Sequence, residues 1–92
     1  MLDTDRPSLI PGFTAERFDE EMLLYSLTEN RAVYLNGSAF LVWQLCGEGM
    51  PIGEMVTMLE QTYPERRDTI REDILAALET LRHNGLLTLV AQ

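Results

Sequence analysis

The side chains able to do chemistry are few: one histidine, His83, one cysteine, Cys46, and fifteen carboxylates in a chain of 92 residues. His83 stands in "RHNG". That context reads as a helix end, where an imidazole meets free carbonyls and the negative pole of the helix dipole, and not as a general base. Cys46 falls on an apolar stretch with no base beside it, so a buried structural thiol is expected and not a nucleophile. Glu72 and Asp73 are both acidic, but neighbours on a helix point in different directions and cannot share a substrate. "GEG" at 47–49 lacks the spacing and the following lysine of a phosphate loop, and reads as a turn. A single cysteine permits no intrachain disulfide and no thiolate metal cluster. No catalytic residue, no metal site and no cofactor is expected.

The balance of charge narrows the partners. Seven arginines, no lysine and fifteen carboxylates give a formal net charge of -8. Such a chain repels phosphate backbones and anionic membranes, because nucleic-acid affinity comes mainly from Lys and Arg displacing counterions. Protein, peptide or small-molecule partners are expected. With 46% hydrophobic and 24% charged residues the composition is that of a folded domain with one modest core. The start "MLDTDRPSLIPGF" lacks a basic region followed by an apolar run, and no stretch is long enough for a membrane span. A cytoplasmic protein is expected.

Periodicity then supplies the elements. Residues 1–12 hold Pro7, Pro11 and Gly12 among charges and predict a flexible arm that orders only on a partner, leaving 13–92 as the single folded domain. Three β-rich runs follow, "FTAERF", "MLLYSLT" and "RAVYL", broken at "DEE" and at "EN", where Asn30 suits a tight turn. Asn36 is a good N-cap for a helix over about 38–46 with Ala39, Val42, Trp43 and Cys46 on one face. Trp43 on that face is expected in the core. Ile52, Met55, Val56, Leu59 and Tyr63 mark a second amphipathic helix ended by Pro64. Met50, Met55 and Met58 read as adaptable core filling. A third helix over about 69–83 has the stripe Ile70, Ile74, Ala77, Leu78 and Leu81, with Asn84-Gly85 as its stop. "LLTLV" predicts a short closing strand. The fold class is α+β: a three-stranded antiparallel sheet followed by three helices, in an order like that of a winged helix-turn-helix.

Two features suggest binding. "RAVYL" is a candidate edge strand, whose unpaired amides and carbonyls accept another chain. Arg71, Leu75 and Arg82 flank the core stripe of the third helix and, with Leu78, would form an apolar groove with basic rims suited to an extended peptide carrying an acidic residue. Their spacing is equally that of a solvated helix face. The helix order also admits a DNA-binding winged-helix regulator, against which the charge and the lysine-free third helix argue, or a structural subunit that dimerises through the edge strand.

Beyond these readings, "YLNGSAFLVWQLC", "GEMVTMLEQTYPE" and "IREDILAALETLRHNGLL" together resemble the PqqD-like family, the recognition domains of ribosomally made and modified peptides. The matching positions are Leu35, Asn36, Ala39, Trp43, Leu45, Glu54, Asp73, Ile74, Leu81, Gly85 and Leu86, within a stretch from about Tyr25 to Leu87. The chain departs from the family pattern at Gly47-Glu48, where Asp-Gly is usual, and at Pro51, where Ser or Thr is usual. The resemblance implies a non-catalytic domain to which a precursor's leader peptide adds as a strand. Arg31, Ala32, Val33, Tyr34 and Leu35 would form one wall of the peptide site, with Arg71, Leu75, Leu78 and Arg82 on the other. Asn36, Trp43, Asp73 and Gly85 are then structural. It also implies a separate modifying enzyme as partner, such as a radical S-adenosylmethionine enzyme, a cyclase or a protease.

Overall fold

A computed structural model describes residues 3–19 and 21–90. The elements run in the order β1 (Arg6–Leu9), β2 (Thr14–Phe18), β3 (Glu21–Ser26), β4 (Arg31–Leu35), α1 (Gly37–Gly47), α2 (Ile52–Thr62), a 3-10 turn at Pro64–Arg66, α3 (Ile70–His83) and β5 (Leu87–Val90). The fold is α+β, with the expected meander β2-β3-β4 and a second sheet of two strands, β1-β5.

The meander follows from turn chemistry and alternation. Phe18 pairs with Glu21, so β2 and β3 are joined by a two-residue connection, and its first residue, Asp19, sits at φ +52°. Ser26 pairs with Arg31 across a four-residue loop in which Asn30 takes φ +54°. Asp and Asn tolerate this left-handed conformation better than other non-glycine residues. The Ser26 hydroxyl accepts from the Glu29 N–H at 3.2 Å, which closes the loop. One face of the sheet carries Leu24 and Leu35, both buried, and packs on α1.

Each helix is closed by a specific device. The Asn36 side-chain oxygen accepts from the Ala39 N–H at 2.9 Å, as an N-cap should. At the other end of α1, Gly49 lies at φ +74° and its N–H donates to the Cys46 carbonyl, while the Met50 N–H reaches back to Leu45. Helix α3 ends the same way: Gly85, at φ +71°, donates to the Arg82 carbonyl and Leu86 to that of Leu81. This is the paired 6→1 and 5→2 pattern that a glycine in the left-handed region permits. Leu81 and Leu86, both fully buried, add the apolar contact that accompanies it. The predicted stripe of α3, Ile70, Ile74, Ala77, Leu78 and Leu81, is buried throughout. Each such Leu or Ile contributes roughly 1.5–3 kcal/mol by leaving water.

Two expectations need correction. Trp43 is half-buried and stacks on Phe40, with ring centroids 5.6 Å apart, instead of lying in the core. Leu45 belongs to the buried set with Ala39, Val42 and Cys46, which swings the centre of the buried arc about 90° away from Trp43 at 3.6 residues per turn.

Nor are residues 3–10 a flexible arm; the first two positions of the predicted arm lie outside the described residues. Arg6–Leu9 pairs antiparallel with β5, Leu9 opposite Leu87, and Ile10 donates to the Leu86 carbonyl at 2.9 Å. Further forward, the Asp5 and Asp3 carbonyls accept from the Ile52 and Gly53 N–H groups at 3.1 and 2.9 Å. Helix α2 starts behind Pro51, which supplies no side-chain cap. The N-terminal segment provides the acceptors that a Ser or Thr would otherwise supply, and this order within one chain is what Pro/Gly content could not reveal. Gly53 makes the approach possible, since a Cβ there would stand 3.0 Å from that of Asp3.

Candidate functional site

β4 is an edge strand: β3 pairs with one side of it, and the order β2-β3-β4 leaves its other side open among the described residues. Val33 and Leu35 turn to the core face, Leu35 being buried and Val33 half-buried; Ala32 and Tyr34 alternate to the outer face and are exposed. Arg31 ties the start of the strand to the end of α3. Its guanidinium donates to the Asn84 carbonyl and lies over the Phe13 ring at 5.8 Å. Gly85 has a second reason to be glycine there, because a Cβ would come 2.9 Å from the Arg31 guanidinium.

At the far end of β4 the chain passes through Asn36 into α1, and a cavity of about 210 Å³ opens between α1, α2 and α3. Ser38, Leu41, Tyr63, Arg66, Ile70 and Asp73 line it. The Asp73 carboxylate accepts from Arg66 at 3.1 Å and from the Thr69 hydroxyl at 3.2 Å, which fixes the 3-10 turn to the first turn of α3. β4 and α3 therefore run side by side in opposite senses, Arg31 beside Asn84 and Ser38 beside Asp73. The eleven steps of α3 from Asp73 to Asn84 span about 16 Å, and the four steps of β4 from Arg31 to Leu35 about 13 Å.

The wall that α3 presents is not the expected one. At about 100° per residue, Asp73, Ala77, Thr80 and Asn84 fall within one arc of about 60° facing β4, while Arg71, Leu75, Leu78 and Arg82 fall within an equal arc on the opposite side. Arg71 is held by the N-terminal segment, its guanidinium donating to both Asp3 carboxylate oxygens at 2.6 and 3.0 Å. That ion pair holds the Asp3 carboxyl below its ordinary range and raises Arg71. Arg82 pairs with Glu79, which lowers the Glu79 carboxyl, and borders a surface hollow with Ile10, Leu87 and Thr88 near β5. Leu75 packs half-buried against the core and Leu78 is fully buried, so Leu78 has no surface to offer a peptide. The structure brings Arg31, Ala32, Val33, Tyr34 and Leu35 together on one strand. It does not bring Arg71, Leu75, Leu78 and Arg82 to that strand. Ser38, Tyr63 and Arg66 line the cavity, Asn84 meets Arg31, and Thr80 shares their side of α3 by helical spacing; none belongs to the expected set. Helical spacing identifies a stripe and its two flanks, and nothing in it says which flank the strand will occupy.

The remaining reactive groups stay apart from the groove. Cys46 is buried, and desolvation pushes its thiol up to about 12, leaving it protonated and inert near neutrality. His83 is exposed in the last turn of α3. Among the described residues, no three His, Cys, Asp or Glu side chains gather as a metal site would require, and no helix is long and apolar enough to cross a membrane.

An open edge strand of this kind is a place where an extended chain can add to a sheet. The protein belongs to the family described as coenzyme PQQ synthesis protein D (PqqD), whose model matches residues 21–87. No curated protein matches the chain. Two solved structures share the fold. One is TbiB1 in complex with the TbiA(beta) leader peptide, with a TM-score of 0.73, 24% identity, and coverage of 92% of this chain and 99% of that one. The other is a lasso peptide synthetase B1 complexed with the leader peptide, also at 0.73 and 24%, covering 90% and 98%.

Proposed function

We propose that the chain is a non-catalytic recognition domain that binds the leader segment of a ribosomally made precursor as an added strand on β4 and presents it to a separate modifying enzyme. The observation that carries this reading is the open side of β4, tied at its start to the end of α3 by Arg31 and leading at its far end to a cavity beside the first turn of α3. Family membership and two similar folds described as leader-peptide complexes support it. The partner enzyme is of the kind the family serves, a radical S-adenosylmethionine enzyme, a cyclase or a protease, and the setting is cytoplasmic. The domain itself needs no cofactor.

A magnitude sets the division of labour. About five backbone hydrogen bonds at roughly 1 kcal/mol net each stand against an association cost of about 4–15 kcal/mol. Strand pairing alone does not hold the peptide. Side chains must enter the groove, and the cavity beside Ser38 and Asp73 is the place in it deep enough to take one. Arg31, whose guanidinium meets a backbone carbonyl and an aromatic ring, stands at the α3 end of β4, so a leader with an acidic residue beyond an apolar one fits best. A duplex-binding role finds little support, because both arginines flanking the α3 stripe are already paired to carboxylates.

The test is isothermal titration with leader peptides encoded by short reading frames beside the gene. Micromolar or tighter binding to one leader is expected, weakened about fivefold to thirtyfold by Val33→Pro through the loss of one or two pairing bonds. Unchanged binding by a Val33→Pro variant that keeps the wild-type circular dichroism would reject strand addition. A stable dimer that blocks leader binding would assign the β4 edge to a second copy instead.

A further inference from the structure

The three-stranded sheet has a second face that no helix among the described residues covers. By register, Leu23 stands opposite Tyr34 and Tyr25 opposite Ala32, all on the side away from Leu24 and Leu35. Leu27 extends the row at the hairpin, 88% exposed, and Tyr34 is 66% exposed. The result is a continuous apolar strip across β3 and β4, and contiguous exposed apolar surface of this kind marks an interaction site more often than single exposed residues do.

The charges around the strip are of one sign. Glu16 accepts from the Tyr25 hydroxyl at 3.4 Å, so it lies on this face. Glu21 shares it by alternation along β3, and Glu29 stands exposed in the hairpin loop. The nearby arginines point elsewhere: Arg31 turns to Asn84, and Arg17, paired with Met22, alternates to the core side. A second copy of the chain would bring these carboxylates against their equivalents, which like-charge repulsion disfavours.

We infer that this outer sheet face docks the modifying enzyme itself, through an apolar patch on that enzyme rimmed by arginine or lysine, while the β4 edge and the groove hold the leader. The inference rests on the leader-binding reading in that it assumes a separate enzyme. It assigns that enzyme a surface distinct from the peptide groove, so one domain engages both partners at once.

The experiment uses the full chain and the purified modifying enzyme encoded beside it, with binding followed by biolayer interferometry and the leader titrated separately. Two double variants are compared with wild type: Leu23→Ser with Leu27→Ser, and Glu16→Arg with Glu21→Arg. Each is expected to weaken enzyme binding by about tenfold or more, with leader affinity kept within about twofold. Wild-type enzyme binding should also weaken as salt rises from about 50 to about 500 mM. Wild-type chain that fails to bind the enzyme, or variants that bind it as tightly as wild type, would overturn the inference while the leader titration still reported on the groove. A concentration-dependent dimer abolished by the leucine pair would overturn it in favour of a second copy.

Discussion

The two flanks of α3 have opposite fates. On one, Arg71, Leu75 and Arg82 are engaged by the chain itself: Asp3 clamps Arg71, β1 and β5 pair alongside, and Glu79 holds Arg82. On the other, Asp73, Ala77, Thr80 and Asn84 look across at a strand whose outer side stays unpaired. The difference is made by residues 3–10. They supply a strand beside β5, a carboxylate to Arg71 and two carbonyls that cap the neighbouring α2. Among the described residues nothing does the same for the other flank, and a partner can.

The strongest way to break this comparison is to ask whether α3 is rotated as described. Leu78 lies between the closed flank and the core and is fully buried. Leu78→Ala should therefore cost about 2–5 kcal/mol of stability by leaving a cavity, read from urea unfolding, while leader affinity of the folded protein is unchanged. A variant of near wild-type stability that binds leader poorly would place Leu78 in the groove and reverse the assignment.

Much of this was legible in the sequence. Alternation in "RAVYL" and "MLLYS", the Asn36 cap, the α3 stripe and the glycine stop at 85 are local signals, and local signals carry the elements. The edge position of β4 was readable because β4 ends the meander and passes straight into a helix. Two things were not legible. The partner of residues 6–9 is β5, which lies about eighty positions away, and no local pattern encodes a pairing at that separation. The second is the handedness of the groove. Arg71 and Arg82 attract attention as charges beside an apolar stripe, but only tertiary packing decides that the strand lies beside Thr80 and Asn84 instead.

A smaller effect sharpens the comparison by steric means. Thr80 is exposed midway along the open flank, so Thr80→Trp should fill the groove without disturbing the core and weaken leader binding by roughly tenfold. Arg82→Glu, on the closed flank, should leave leader affinity within about twofold, as expected for an exposed charge outside the contact. Titration calorimetry on the pair reads the difference directly. If Arg82→Glu proves the more damaging, both flanks contact the peptide, and the groove is wider than β4 and α3 alone define.

The smallest expected effect concerns how the closed flank stays closed. Asp3 and Arg71 are both exposed, and exposed ion pairs stabilise little, so Asp3→Asn should leave global unfolding nearly unchanged. Its consequence is local: amide exchange should quicken at Ile52 and Gly53, whose N–H groups the same segment accepts. The pH dependence has a fixed sign. Arg71 lowers the Asp3 carboxyl in the folded state, so its contribution is present above the ordinary carboxylate range and lost as pH falls through the depressed folded value. In wild type, protection of those two amides should decline at acid pH while that of the α3 core amides persists; in Asp3→Asn the Asp3 part of that pH dependence should vanish. Uniform loss of protection across both flanks would mean that the N-terminal segment and α3 open as one unit, and the closed flank would then owe its order to the core rather than to the clamp.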